Sequence, residues 1–259
     1  VLKKYLSQHL IKDRNILEKM VRLSGLDKND LVLEIGSGQG DLTECLCEKA
    51  GFVYGIEIDR AFKRHLEQAM ERHKNLKVLF CDFLNTRLTD FYKSSGGKKI
   101  KVFGNIPYKI TAPIIFKIID ERDVVDSMFL TVQKEIGERI VSTPGHKTYG
   151  AVSVICQLLA QVKILMRLKS SIFVPPPKVD SVFISMVFKD DCHDISDGLI
   201  KFIRICFENR RKYLKNTLLR YFEYEKIEGL YSAKNLSSKI RAEQIAPFIF
   251  KDIYRFLNG

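Results

Sequence analysis

The sequence predicts an α/β domain with a mostly parallel sheet, followed by a small all-helical domain. Short apolar β-type runs alternate with helix-patterned segments from residue 31 to residue 160, and the glycine-rich stretch Gly36-Ser37-Gly38-Gln39-Gly40 directly follows the first buried run. Composition then turns polar at 189 to 198, and the pattern is helical from there to the end. Such alternation is how a helix-covered parallel sheet shows itself in sequence, because every parallel strand pair needs a crossover connection.

Taken in order, a first helix over 14 to 24 stops at Gly25, and the polar turn Asp27 to Asp30 leads into the run Leu31 to Ile35. After the glycine loop the periodicity predicts strand 52 to 58, helix 60 to 72, strand 76 to 80, strand 100 to 104 and helix 112 to 120. Strand 127 to 132 and helices 133 to 142 and 150 to 160 complete the alternation. Between the β-type runs 162 to 168 and 181 to 188 lies only the proline-rich extended segment Phe173 to Val179, too short for a crossover helix, so the two are expected to pair antiparallel at the sheet edge. Lys189 to Gly198 carries four aspartates and marks the expected boundary, with domains over 1–188 and 189–259. Beyond it Phe202, Ile205, Cys206, Leu214, Leu218 and Leu219 recur at helical spacing, and a last helix is expected from about Ala242 to Leu257.

With 46% hydrophobic residues among 259, the chain can build a large core, and disordered and fibrous classes are excluded. The first fifteen residues lack an apolar stretch, and about 18 apolar residues never run together, so neither a secretory signal nor a membrane span is expected and the protein reads as cytoplasmic. Six scattered cysteines without metal-ligand spacing read as reduced thiols, and no metal is expected. Lys and Arg number 43 against 31 Asp and Glu, a net charge of +12 that points to a polyanionic partner. Half of that excess falls between residues 201 and 220, where Lys201, Arg204, Arg210, Arg211, Lys212, Lys215 and Arg220 face Glu208 alone.

The chemistry sits at the strand ends. Glycines in a strand-to-helix loop let a ligand approach backbone N–H groups at a helix N-terminus. Glu57 closes the next strand about 20 residues on, where a carboxylate can hold both hydroxyls of a ribose. Asp82 follows the strand at 76 to 80 and can accept from an adenine amino group, with Phe83 as an apolar wall. These features describe a nucleoside cofactor and leave open a dinucleotide or S-adenosylmethionine, although Gln39-Gly40 breaks the regular dinucleotide fingerprint. The tetrapeptide Asn105-Ile106-Pro107-Tyr108 at the end of the fourth strand decides between them. An adenine exocyclic amine is a poor nucleophile because its lone pair is delocalised into the ring. Acceptors that pull its N–H groups out of plane localise that pair, and the Asn105 side-chain oxygen and the Ile106 carbonyl, stiffened by Pro107, suit the task. Tyr108 can stack on a flipped-out base.

The segments LSQHLIKD, EIGSGQG, GIEID, VFGNIPYKIT, QKEIGERIVSTPGHKTYGAVSV, FVPPPKVDS and ENRRKYLKNTL run in this order over nearly the whole chain. The series resembles the ribosomal RNA adenine N6,N6-dimethyltransferase family of the bacterial KsgA type. The resemblance implies a Rossmann-like methyltransferase domain and S-adenosylmethionine as cofactor, surrounded by Gln8, His9, Ile11, Gly36, Gly38, Glu57, Ile58, Asp82, Phe83 and Asn105. It implies that Tyr108 and Phe173 sandwich the target adenine. The expected partner is small-subunit ribosomal RNA or its precursor particle, methylated at adjacent adenines near the 3′ end by a monomer during ribosome biogenesis. Arg210, Arg211, Lys212 and Lys215 are expected to hold RNA phosphates in a basic cleft between the domains. Two alternatives from related or different classes are the Erm branch, which modifies large-subunit RNA, and a non-enzymatic ribosome-assembly or transcription factor on the same fold. Pro175-Pro176-Pro177 and Tyr149-Gly150-Ala151-Val152 resemble the small-subunit branch, and an intact Asn-x-Pro-aromatic motif with Glu57 argues for catalysis. Ile106 replaces a commoner Leu and Ser7 a common Gly; Ile106 acts through its carbonyl, so its side-chain change should be mild.

Overall fold

The computed structural model describes residues 9 to 210 and 212 to 259. The chain divides into two compact units: residues up to Gly137 with Lys163–Phe188, and Glu138–Val162 with Lys189–Gly259.

The first unit opens with β1 (Leu10–Ile11) and α1 (Arg14–Leu23), whose N-terminus is capped by the Asp13 carboxylate accepting from the Asn15 N–H at 2.9 Å. The sheet elements follow as β2 (Leu31–Ile35), α2 (Asp41–Lys49), β3 (Phe52–Glu57), α3 (Lys63–Arg72), β4 (Leu76–Phe80), α4 (Leu88–Ser94), β5 (Ile100–Asn105), α5 (Thr111–Asp120), β6 (Val125–Gln133) and α6 (Lys134–Ile140). After a helical excursion come β7 (Ala160–Leu168), β8 (Phe173–Val174) and β9 (Ser181–Phe188). Seven strands form one sheet in the order β4-β3-β2-β5-β6-β9-β7. Strands β4, β3, β2, β5 and β6 are mutually parallel, and β9 runs antiparallel to β6. Covered on both faces, β2 buries all five of its residues, which is why it reads as an unbroken apolar run apart from Glu34.

The register aligns the functional ends. Ile35 of β2 lies beside Ile56 of β3 and Gly104 of β5, Glu57 beside Phe80 of β4, and Asn105 beside Thr131 of β6. The glycine loop, Glu57, Asp82 and Asn105 therefore leave the sheet at one edge, the carboxyl ends of its parallel strands, where open α/β sheets bind ligands. The β7 and β9 runs do sit side by side with β7 outermost. The segment expected to be simply extended contains β8, which pairs with β1 in a separate two-stranded ribbon, Ile11 opposite Phe173.

The second unit contains α7 (Ala151–Leu159), α8 (Asp197–Phe207), α9 (Leu214–Leu218), α10 (Tyr224–Ala233) and α11 (Pro247–Asn258). Phe207 lies 6.1 Å from Tyr149 and 5.7 Å from Phe250 between ring centroids, and the Tyr149 hydroxyl donates to the Ile245 carbonyl at 2.8 Å. The expected boundary at Lys189 is where the chain enters this unit for the last time. Residues 138 to 162, however, pack here and not with the first unit as the sequence reading has it, because α7 lies against α8 and α11 and Tyr149 is buried among them. The expected last helix is broken at Ile245 and restarts with Pro247 at its first position. Among the described residues, no helix is long and apolar enough to cross a membrane.

Candidate active site at the strand ends

The loop after β2 turns through Gly36 and Gly38 at φ +76° and +55°, a left-handed conformation that a side chain resists. Its first N–H groups, from Gly36 and Ser37, donate to the Ile56 carbonyl at 2.8 and 3.2 Å. Beneath it, the Ser37 and Thr43 hydroxyls donate to one oxygen of Glu34 at 2.9 and 2.5 Å. Glu34 is 1% exposed, and burial pushes its carboxyl up to about 7 against the pull of these two bonds.

Glu57, also buried, reaches across to the loop. One of its oxygens accepts from the Gly38 N–H at 2.8 Å and the other from the Asp59 N–H at 2.7 Å. Burial raises its pKa, and the backbone bonds oppose that rise. The residue expected to hold a ribose thus also braces the loop. Asp82 accepts from the Leu84 N–H at 2.9 Å through Oδ1, and Lys117 lies over the face of Phe83.

At the end of β5, the backbone passes so close to its neighbour that a Cβ on Gly104 would lie 2.8 Å from Ile106 Cγ2 and 3.1 Å from the Ile35 carbonyl oxygen. Asn105 Nδ2 donates to the His9 carbonyl oxygen at 2.7 Å. A carbonyl can only accept, so this bond fixes which way the amide faces and turns Oδ1 away from His9 as an acceptor. Pro107 leads into a tight turn over Tyr108–Ile110, and the Tyr108 hydroxyl meets the Ser181 hydroxyl at 2.6 Å. Burial raises the Tyr108 pKa.

These groups enclose one cavity of about 280 Å³. Of the residues nominated from sequence, His9, Gly36, Gly38, Glu57, Ile58, Asp82, Phe83, Asn105, Ile106, Pro107 and Tyr108 line it. Ile11 is buried and lines a smaller cavity of about 30 Å³ that shares Gly36 and Asn105 with the larger one. Phe173 stands apart: it is 2% exposed, belongs to the apolar core and is not in the cavity wall, because β8 turns its ring inward where it pairs with β1. Gln8 lies outside the described residues. Other residues join the wall without having been expected, among them Phe62, Cys81 and Ile114, although Cys81 immediately precedes Asp82 and Ile114 falls on the apolar face of α5.

In the second unit Arg210 and Lys215 have partners of their own. Arg210 pairs with Glu243 at 2.9 Å and donates to the Lys147 carbonyl. Lys215 pairs with Glu228 and lies over the rings of Tyr224 and Tyr231, the ion pair raising its pKa. Lys212 is exposed, and Arg211 lies outside the described residues.

Comparison with known proteins agrees with this geometry. A family model described as ribosomal RNA adenine dimethylase matches residues 1–258. A ribosomal RNA small subunit methyltransferase A of Mycoplasmopsis synoviae is 38% identical over 257 residues, 99% of this chain and 97% of that protein. The crystal structure of a dimethyladenosine transferase from Plasmodium falciparum is similar with a TM-score of 0.80 and 27% identity, covering 95% of this chain and 96% of that one. The 23S rRNA methyltransferase ErmE shares the fold, with a TM-score of 0.75 at 19% identity over 96% of this chain and 100% of that one. With the strand-end cavity, the glycine loop and the Asn-x-Pro-Tyr turn all in place, the chain belongs to the ribosomal RNA adenine dimethylase family.

Proposed function

We propose that this protein transfers methyl groups from S-adenosylmethionine to the N6 amines of adjacent adenosines near the 3′ end of small-subunit ribosomal RNA, giving N6,N6-dimethyladenosine in the cytoplasm during ribosome biogenesis. The observation that carries the reading is the orientation of the Asn105 amide, whose NH2 is committed to the His9 carbonyl so that Oδ1 is left as an acceptor beside Tyr108 in the cavity wall.

The residues present fit the cofactor. A Cβ on Gly36 would meet nothing within 4 Å, so the loop leaves room on its cavity side, and the Glu57 and Asp82 carboxylates offer acceptors for ribose hydroxyls and an adenine amine. S-adenosylmethionine, when bound, supplies an electrophilic methyl group. All remaining work falls to the chain. Tyr108, tethered through its hydroxyl to Ser181, offers its face to the target base. The Asn105 Oδ1 and the Ile106 carbonyl accept the amino protons and localise the nitrogen lone pair, a preorganised electrostatic contribution that requires no rearrangement at the moment of reaction. RNA phosphates engage the exposed basic surface, of which Lys212 is a member, while Arg210 and Lys215 brace the helical unit through their own ion pairs.

Methyl transfer from labelled S-adenosylmethionine to small-subunit and large-subunit RNA, assayed side by side, tests this reading. Label in the small-subunit RNA is expected. Label in the large-subunit RNA alone would assign the protein to the Erm activity, and label in neither would leave an RNA clamp.

A further inference from the structure

The parallel strands β4, β3, β2 and β5 begin on one edge of the sheet, opposite the edge that carries the cavity. Their amino ends are in register, Leu31 beside Phe52 and Ile100, and Val53 beside Leu76. The segments that lead into them are tied to one another. The Gly51 N–H donates to the Asp30 carbonyl at 3.0 Å, the Val53 N–H to the Asn75 carbonyl at 2.8 Å, and the Lys98 ammonium to the Asn29 carbonyl at 3.4 Å. Residues 27–30, 48–52, 73–77 and 93–101 therefore form one continuous surface.

That surface is basic out of proportion to its size. Its 23 residues hold eight lysines against three carboxylates, a net +5 out of the chain's +12. Each carboxylate is already committed: Asp30 to Lys101 at 2.9 Å, Glu48 to Arg14 at 2.6 Å, and Asp27 to the Asn29 N–H at 2.7 Å. Lys49, Lys74, Lys77, Lys93 and Lys99 are exposed, and none of them forms an ion pair with a described residue. Basic side chains in other parts of the same unit come with acids, as Lys12 does with Asp41 at 2.6 Å, Arg87 with Asp90 at 3.3 Å and Lys117 with Glu121 at 2.8 Å. Lys49 and Lys93 stand in the last turns of α2 and α4, where they complement the helix dipoles. Lys74, Lys77 and Lys99 lie on no helix, so that role does not account for them.

We infer that this edge is a second RNA-binding surface, holding phosphates of a stretch of small-subunit RNA other than the one that offers its adenine to the cavity. This rests on ribosomal RNA being the substrate. Like charges gathered without counter-ions raise the local potential and draw a polyanion. None of the exposed large apolar side chains falls in these four segments, so the surface lacks the aromatic or aliphatic anchors of a protein interface and suits a phosphate backbone. The patch is also bounded: at the next strand the sign reverses, because the turn into β6 carries Asp120, Glu121, Asp123 and Asp126. A five-residue strand such as β2 spans roughly 16 Å, so a strand length of protein separates this edge from the cavity. An RNA that reaches both must wrap around the unit, which a folded subunit RNA can do and a short hairpin cannot.

Binding measured across a salt series, with full-length small-subunit RNA and with a short hairpin carrying the adjacent adenines, tests the surface. Lys74→Glu, Lys77→Glu and Lys99→Glu combined should weaken full-length RNA binding roughly tenfold or more and lower the slope of log K against log salt by about 2 to 3 units. Hairpin affinity should stay within about twofold of wild type, since its phosphates do not reach this edge. The melting temperature reports the fold, and a Lys74→Gln, Lys77→Gln, Lys99→Gln protein should show a smaller loss in the same direction. A control with Lys19→Glu, Lys163→Glu and Arg167→Glu makes the same change in net charge and should keep the wild-type slope. An unaltered slope with full-length RNA, an equal loss on the hairpin or an equal loss in the control overturns the inference. A lysine-dependent slope in a protein that methylates neither subunit's RNA would uphold the surface and overturn the proposed function instead.

Discussion

The side-chain amide of Asn105 donates to the backbone carbonyl of His9 at 2.7 Å, tying the end of β5 to the residue that precedes β1. The bond turns an ambiguous amide into a directed acceptor. On the proposed reading, replacing Asn105 with Ala removes one of two acceptors for the amino protons, and loss of a preorganised contact of this kind costs ~100- to 1000-fold in rate. Single-turnover kinetics should show that loss with RNA affinity nearly constant, because phosphate contacts elsewhere dominate binding. Wild-type chemistry in Asn105→Ala would reduce the tetrapeptide to a turn.

Glu57 accepts from the Gly38 and Asp59 N–H groups, so its removal strips a brace of the glycine loop and, on the proposed reading, a partner of the ribose. Glu57→Ala should weaken S-adenosylmethionine binding by about 2 to 4 kcal/mol, through the loss of charge-assisted hydrogen bonds. Calorimetry with unchanged affinity would remove Glu57 from the cofactor site.

Glu34 gives the fold a pH dependence of definite sign. Its carboxyl is raised from the ordinary 4.5 to about 7 by burial, so between these values the folded protein holds a proton that the unfolded chain has released. Stability is fully present below about pH 4.5 and falls as pH rises through about 7, by roughly 3 kcal/mol in all. Glu34→Gln should flatten this slope in denaturant titrations between pH 5 and pH 8 and be the more stable protein at the upper end. An identical slope in the variant would place the titration elsewhere.

Much of this site is visible in sequence because its parts are local. A glycine loop after a buried run, a carboxylate closing the next strand and an Asn-x-Pro-Tyr turn are each written within a few residues, and the parallel sheet aligns their ends. What could not be read depends on partners distant in sequence. The β1–β8 ribbon is two residues long on each side and has no periodicity to detect. Its pairing is what buries Phe173 and leaves His9 opposite Tyr108. Residues 138 to 162 look like a continuation of the α/β pattern, and only the contacts of α7 with α8 and α11 assign them to the helical unit. A basic run likewise conceals its counter-ions: nothing near Arg210 or Lys215 announces Glu243 or Glu228, except that Glu228 lies in the helix that follows α9.

Those ion pairs separate two effects that a charge run merges. Lys212→Glu should lower RNA affinity and reduce the slope of log K against log salt by somewhat under one unit per phosphate contact, with thermal stability unchanged. Arg210→Ala should lower the melting temperature of the protein, because it leaves Glu243 and the Lys147 carbonyl without their partner. A salt slope unaltered by Lys212→Glu would mean that this residue is a solvated part of the surface.

On the proposed reading the cavity methylates the exocyclic nitrogen of adenine twice. Nucleoside mass spectrometry of small-subunit RNA incubated with the protein and S-adenosylmethionine tests it most directly. N6,N6-dimethyladenosine is expected at adjacent positions, formed far more slowly by Asn105→Ala. Methyl groups on a ring nitrogen, a ring carbon or a ribose, with the exocyclic amine untouched, would contradict it.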